Sequence, residues 1–151
     1  MKALVEFHTR NKIQLKAYNE KRMRELGRIV ANQDNLELGY LYMLYEQILY
    51  ITLRRAARCS SYYNVLMNSL GYFSKDLKSD EKQFFLHQLK RYREGRVPLV
   101  VPVDIMKSWI IRTNKEYLAH QTFFNPYPDE LLDIDSIIEA CGDRDYWKTM
   151  N

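Results

Sequence analysis

At 151 residues the chain fits one domain with a sizeable core. A hydrophobic share of 46%, with five glycines and four prolines, excludes a disordered or collagen-like chain. Net charge is +4, unevenly spread: residues 129–151 hold seven acids and two bases, so that stretch carries −5 and residues 1–128 carry +9. A body this basic suits a polyanionic partner.

Taken in order, almost every segment has helical periodicity. Leu4, Phe7, Asn11, Leu15 and Tyr18 recur three and four residues apart, predicting a helix over 3–18. Asn19 is suited to N-cap a second helix, whose apolar stripe is Met23, Leu26, Ile29 and Val30. Residues 37–57 are apolar on almost all sides, which predicts a central helix surrounded by others. Ser60 or Ser61 can cap a fourth helix running to Leu77. Ser79-Asp80-Glu81 opens a fifth, with acids at the positive end of its dipole, and Gly95 stops it.

Pro98 and Pro102 then bracket Leu99, Val100 and Val101. Paired prolines around apolar residues predict a buried, extended strap at 97–101 that feeds a new helix with Pro102 in its first turn. Helices over 103–113 and through Tyr117, Leu118 and Gln121 follow, and Asn125-Pro126-Tyr127-Pro128 ends the run. No alternating strand pattern, repeat or low-complexity tract is present. The expected fold is all-α: a compact single-domain bundle of roughly six to eight helices over 1–132. An acidic extension follows at 133–151, with a short helix over 136–141.

Cys59 and Cys141 are far apart and lack a CxxC, which excludes a disulfide framework or a cysteine metal set. His8, His87 and His120 have no ligand spacing. No metal and no cofactor are therefore expected. No P-loop, Rossmann glycine set or nucleophile elbow occurs. The most apolar run, residues 38–53, contains Glu46 and is shorter than a bilayer span of roughly 20 residues. With no apolar leader at the start, a soluble, cytoplasmic protein without a membrane partner is expected.

The basic residues supply the candidate site. On a helical wheel Lys21, Arg24 and Arg28 fall within about 60° of one another, opposite the apolar stripe. Arg54, Arg55 and Arg58 cluster after the apolar helix, and Arg10 and Lys12 lie on the first. These are candidate phosphate contacts, although bases near helix C-termini are also favoured by the dipole. Tyr62 and Tyr63, just after Arg58, are candidates for stacking unpaired bases.

Ordered motifs along the chain carry a family resemblance. Phe7-His8-Thr9-Arg10-Asn11-Lys12 and Glu25-Leu26-Gly27-Arg28-Ile29-Val30-Ala31 come first. Asn64-Val65-Leu66 follows, with Gly71-Tyr72-Phe73. Then come Tyr92-Arg93, Gly95, Val97-Pro98-Leu99, Val101-Pro102, Gln121-Thr122 and Asn125-Pro126-Tyr127-Pro128. Over roughly residues 4–132 these resemble the YbgA-like family, long known as a domain of unknown function. Its members occur alone or fused to thiouridine or thiouracil desulfidase domains. The resemblance implies a non-catalytic, RNA-binding helical module, with tRNA as the implied RNA, accessory to desulfidation or a related RNA modification. It marks His8, Arg93, Gln121 and Asn125 as motif polar residues. It also shows a departure: family members often carry histidines where this chain has Tyr62, Asn68 and Ser108, which weakens any histidine-based chemistry here. Two alternatives stay open. One is an interaction module that docks an acidic partner, such as a separately encoded desulfidase. The other is an enzyme with a site around His8, Arg10, Arg93 and Gln121.

Overall fold

Asn19 divides the first long helical run in two. Helix α1 spans Lys2–Ala31, but Asn19 has φ −162° and ψ 105°, an extended conformation. Its side-chain oxygen accepts the N–H of Arg22 at 3.0 Å, the N-cap expected from the sequence. A straight helix would hold residues 8 and 27 about 28 Å apart. Instead, a Cβ on Gly27 would stand 3.2 Å from His8 Nε2. The two limbs of α1 therefore fold back on each other, and glycine leaves the room for it. The structure, a computed structural model, describes residues 2–126.

Five further helices follow: α2 (Leu38–Leu53), α3 (Cys59–Leu70), α4 (Ser79–Arg93), α5 (Val100–Thr113) and α6 (Glu116–Ala119). Short 3-10 turns occupy Gln33–Asn35 and Gly71–Phe73. No strand occurs among the described residues, and the fold is all-α. The acidic extension, the helix expected over 136–141 and the last half of the 125–128 terminator lie outside the described residues.

The first limb of α1 is the central helix. Leu4, His8 and Leu15 lie on one side of its wheel, and Ile13 and Ala17 lie about 180° away. All five are buried. The first side joins a core with Met23, Leu26, Ile29, Val30, Leu41 and Tyr45. The second joins the larger core of Val65, Leu66, Phe73, Phe85, Leu89, Met106 and Trp109. There Trp109 packs edge-on to Phe73 at 5.6 Å and tilted against Phe85 at 5.2 Å.

Helix α2 is not central, contrary to the expectation from its apolar run. Only Leu41, Tyr45 and Thr52 are buried, and α2 packs chiefly on α1. Periodicity reports how much of a helix is apolar; it does not say that neighbours from the same chain cover it.

Gly95 does what its position predicts. It takes φ +71°, its N–H donates to the Tyr92 carbonyl at 3.0 Å, and the Arg96 N–H donates to that of Arg91 at 2.9 Å. This pair closes α4 as a Schellman motif. The buried extended strap is not found. Pro98 is exposed, Leu99 is already right-handed helical (φ −56°, ψ −33°), and α5 starts at Val100. The Val101 N–H donates to Pro98 C=O and that of Val103 to Leu99 C=O. Pro102 is buried in the first turn, where a missing N–H costs nothing because those N–H groups have no intrahelical acceptor. The fourth expected helix is also shorter than read. It begins after Arg58 without a side-chain cap, so neither Ser60 nor Ser61 caps it, and it gives way to a 3-10 turn at Gly71.

Candidate functional site

The kink at Asn19 also sets up a basic concavity. A cleft of about 650 Å³ opens where the bend of α1, the C-terminus of α2 and the N-terminus of α3 meet. Tyr18, Asn19, Arg22, Ile51, Thr52, Arg54, Arg55, Ala56, Arg58 and Ser61 line it. Among the described residues four arginines line it and no acid does. Among the described residues none of these four arginines takes an ion pair. Two helices begin at this cleft: the second limb of α1, after Asn19, and α3, after Arg58. Their first N–H groups and positive dipole ends favour an anion there.

A second cleft, about 370 Å³, continues along the α1–α3 seam. Ser61 of the first cleft and Val65, Asn68 and Ser69 of the second recur at helical spacing on one side of α3, and Tyr72 of the following 3-10 turn continues that line. Lys12, Ile13, Lys16, Met23 and Tyr117 complete the second cleft. Tyr72 stacks on Tyr117, with centroids 5.7 Å apart and planes at 28°, and stays half exposed. Burial, then the neighbouring Tyr72, pushes the Tyr117 hydroxyl pKa up. From Arg58 to Tyr72 this groove runs about 20 Å, with cations at one end and an aromatic platform at the other.

The sequence candidates divide clearly. Arg54, Arg55 and Arg58 converge on the first cleft, and Lys12 lines the second. Lys21, Arg24 and Arg28 form a separate shallow surface interleaved with Glu20 and Glu25, and Arg24 pairs with Glu20 at 2.7 Å. Arg10 is exposed beside Glu6, at 3.7 Å. Tyr62 is half buried against Phe123. Tyr63 lies under the Arg93 guanidinium, 5.1 Å from its ring centroid; Arg93 thus braces α4 on α3. Asn125 is exposed. Sequence reasoning missed Arg22, Lys16, Tyr72 and Tyr117 as a set.

Gln121 and His8 serve the scaffold. Gln121 is buried, its Oε1 accepts the Ile13 N–H at 3.1 Å and its Nε2 donates to Thr9 C=O at 2.7 Å. It bonds the same i, i+4 pair that closes an ordinary helical turn, and so ties the chain after α6 to the central limb. His8 is buried 3.1 Å from the Tyr45 hydroxyl. Burial, then the charge of Lys12, holds its pKa below the usual histidine value. Burial pushes the Tyr45 hydroxyl up to about 12. His8, Arg10, Arg93 and Gln121 therefore do not converge on one pocket. Tyr62, Asn68 and Ser108 are likewise dispersed: Asn68 lines the second cleft, while Ser108 donates to Ile105 C=O on the exposed side of α5. Among the described residues no three His, Cys, Asp or Glu side chains are placed to hold a metal ion. None of their helices is long and apolar enough to cross a membrane.

Fold and clefts together define an all-α domain built around a basic, aromatic-ended groove. The chain belongs to the family described as Protein of unknown function (DUF1722), whose model matches residues 12–128. It is similar to "Uncharacterized protein YbgA" of Escherichia coli (strain K12), with 30% identity over 127 residues, covering 83% of this chain and 75% of that protein. No solved structure matches significantly.

Proposed function

We propose that this domain binds RNA, holding phosphates in the Arg22, Arg54, Arg55 and Arg58 cleft and resting an unpaired base on Tyr72 at the far end of the groove. The observation that carries the reading is a set of four arginines, none ion-paired among the described residues, around a cleft where two helices begin. Guanidinium groups match phosphate geometry with two donors at once. Lys12 and Lys16 continue the positive track. The aromatic end suits single-stranded or looped RNA, because stacking needs bases free of their partners.

A tRNA ligand, an accessory role in thiouridine desulfidation or a related modification, and a cytoplasmic location belong to the same proposal; they rest on the family resemblance. The test is binding of labelled tRNA and of a short unstructured RNA across a salt series, with wild type and an Arg54, Arg55, Arg58 triple alanine variant. Affinity should fall linearly on log–log axes, and more shallowly in the variant. No binding of either RNA at low salt overturns the reading. The same cleft then belongs to a carboxylate-rich protein partner, such as a separately encoded desulfidase.

A further inference from the structure

The arginine cleft finds no acid among the described residues, yet the chain carries acids a short way on. Residues 129–143 hold six acids, Asp129, Glu130, Asp133, Asp135, Glu139 and Asp143, and no lysine, arginine or histidine. They follow closely on a segment that touches the edge of the cleft. Phe123 packs on Tyr62, with ring centroids 6.1 Å apart, and Ser61, the residue before Tyr62, lines the cleft. Arg58 is about one helical turn from Tyr62. Asp129 is six residues past Phe123, a reach of up to about 20 Å.

We propose that this acidic run docks in the Arg22, Arg54, Arg55 and Arg58 cleft of its own chain, its carboxylates standing where phosphates would. It then competes with RNA for the cleft, a consequence that rests on the function proposed above. Three observations select this occupant. The first is charge: the cleft presents four arginines and the run six acids. Bases elsewhere, such as Arg24, Arg96, Arg112 and Lys115, already face acids of their own. Arginine takes a carboxylate with the same two-donor geometry as a phosphate. The second is attachment. A link of a few residues holds the acids at an effective concentration of millimolar order. The third is the apolar part of the wall, Ile51, 46% exposed, and Ala56. Phosphate oxygens gain nothing from such a wall, whereas the run sets Ile134 between Asp133 and Asp135. At about a factor of two per exposed ion pair, four pairs favour the docked form on the order of tenfold.

The test is a double-mutant cycle in the full chain. One variant neutralises the run: Asp129→Asn, Glu130→Gln, Asp133→Asn, Asp135→Asn, Glu139→Gln and Asp143→Asn. A second carries Arg54→Ala, Arg55→Ala and Arg58→Ala, and a third carries both sets. Thermal melts without RNA at low salt read the docking itself. With the cleft intact, neutralising the run should lower the midpoint by about 4 °C, the tenfold ratio converted at about 1.4 kcal/mol. With the arginines gone, it should leave the midpoint where it is. No shift, or equal shifts in both backgrounds, overturns the proposal. Anisotropy with a labelled unstructured RNA reads the competition. Neutralising the run should tighten binding about tenfold with the cleft intact, and less than about twofold in the arginine variant, where only screened repulsion is relieved. Equal gains in both backgrounds overturn the competition. Coupled melts with no RNA bound at low salt would uphold the docking and overturn the RNA reading of the cleft.

Discussion

Replacing Arg54, Arg55 and Arg58 with alanine tests the cleft most directly. All three side chains are exposed, so each change should move stability by no more than about 0.5 kcal/mol. If the four cleft arginines each neutralise one phosphate of a single strand, the log–log salt slope is about −3, at roughly −0.7 per contact. Raising salt from about 50 to 200 mM then weakens wild-type binding about 50-fold. With one arginine left the slope is about −0.7, and the same salt step costs about threefold. Lys21, Arg24 and Arg28 are the matched control, since they lie on another surface among acids. Their triple alanine variant loses a comparable net charge but no cleft contact. Fluorescence anisotropy with labelled RNA reads both slopes, and circular dichroism melts check the fold. A cleft variant that keeps the 50-fold loss, or a control variant that flattens the slope more than the cleft variant does, would refute the assignment.

Three further outcomes follow from the scaffold. His8 has its folded-state pKa lowered by burial, so the unfolded chain takes up the proton first; stability should be full above about pH 6.5 and decline as pH falls below it. Urea melts at several pH values should show this decline in wild type and a flatter profile in His8→Gln; parallel profiles would mean His8 is not the group responsible. Gln121→Ala removes one buried and one part-buried hydrogen bond and should cost about 2 kcal/mol in the same melts; a loss below about 0.5 kcal/mol would show that the α1 turn closes equally well without it. Gly95→Ala meets open space but must hold φ +71°, so it should cost about 1 kcal/mol, all of it conformational; an unchanged melting temperature would mean the α4 terminus relaxes at no cost.

The features legible in the sequence are those decided within a few residues. Asn19 as a cap, Gly95 as a left-handed stop and Glu81 at the start of α4 each follow from local hydrogen bonding. Glu81 indeed accepts the Lys78 N–H at 2.8 Å. Pro98 and Pro102 were ambiguous locally: a proline pair suits a strap, but it equally suits a turn and the first turn of a helix. The position of α2 could not be read at all, because its composition states a need for cover without naming the cover. The cleft was half legible. Arg54, Arg55 and Arg58 are adjacent in the chain, whereas Arg22 and the stacked pair Tyr72 and Tyr117 reach the groove only through the bend in α1 and the packing of α6.

The helix dipole decides how far the arginine cluster needs a ligand to explain it. Arg54 follows the last turn of α2, where a cation is favoured by about 0.3–1 kcal/mol, so scaffold electrostatics suffice for it. Arg22 and Arg58 are different. Arg22 is three residues past the cap at Asn19, and Arg58 is itself the N-cap position of α3. A cation at a helix N-terminus is disfavoured by the same dipole. Arg58 also stands in a capping conformation, φ −81° and ψ 152°, with no side-chain cap bond, where serine, asparagine or aspartate would serve the helix better. Stability alone therefore does not account for Arg58, and the proposed bound phosphate would. Arg58→Asp should raise the stability of the RNA-free protein by about 1 kcal/mol, or roughly 3 °C in melting temperature for a chain of this size. The same change should weaken RNA binding at least tenfold at low salt, since it replaces an attraction by a repulsion. A thermal melt and a binding titration on one preparation give both numbers. If Arg58→Asp lowers the melting temperature, arginine serves the fold at this position, and if RNA affinity is unchanged, the phosphates lie elsewhere.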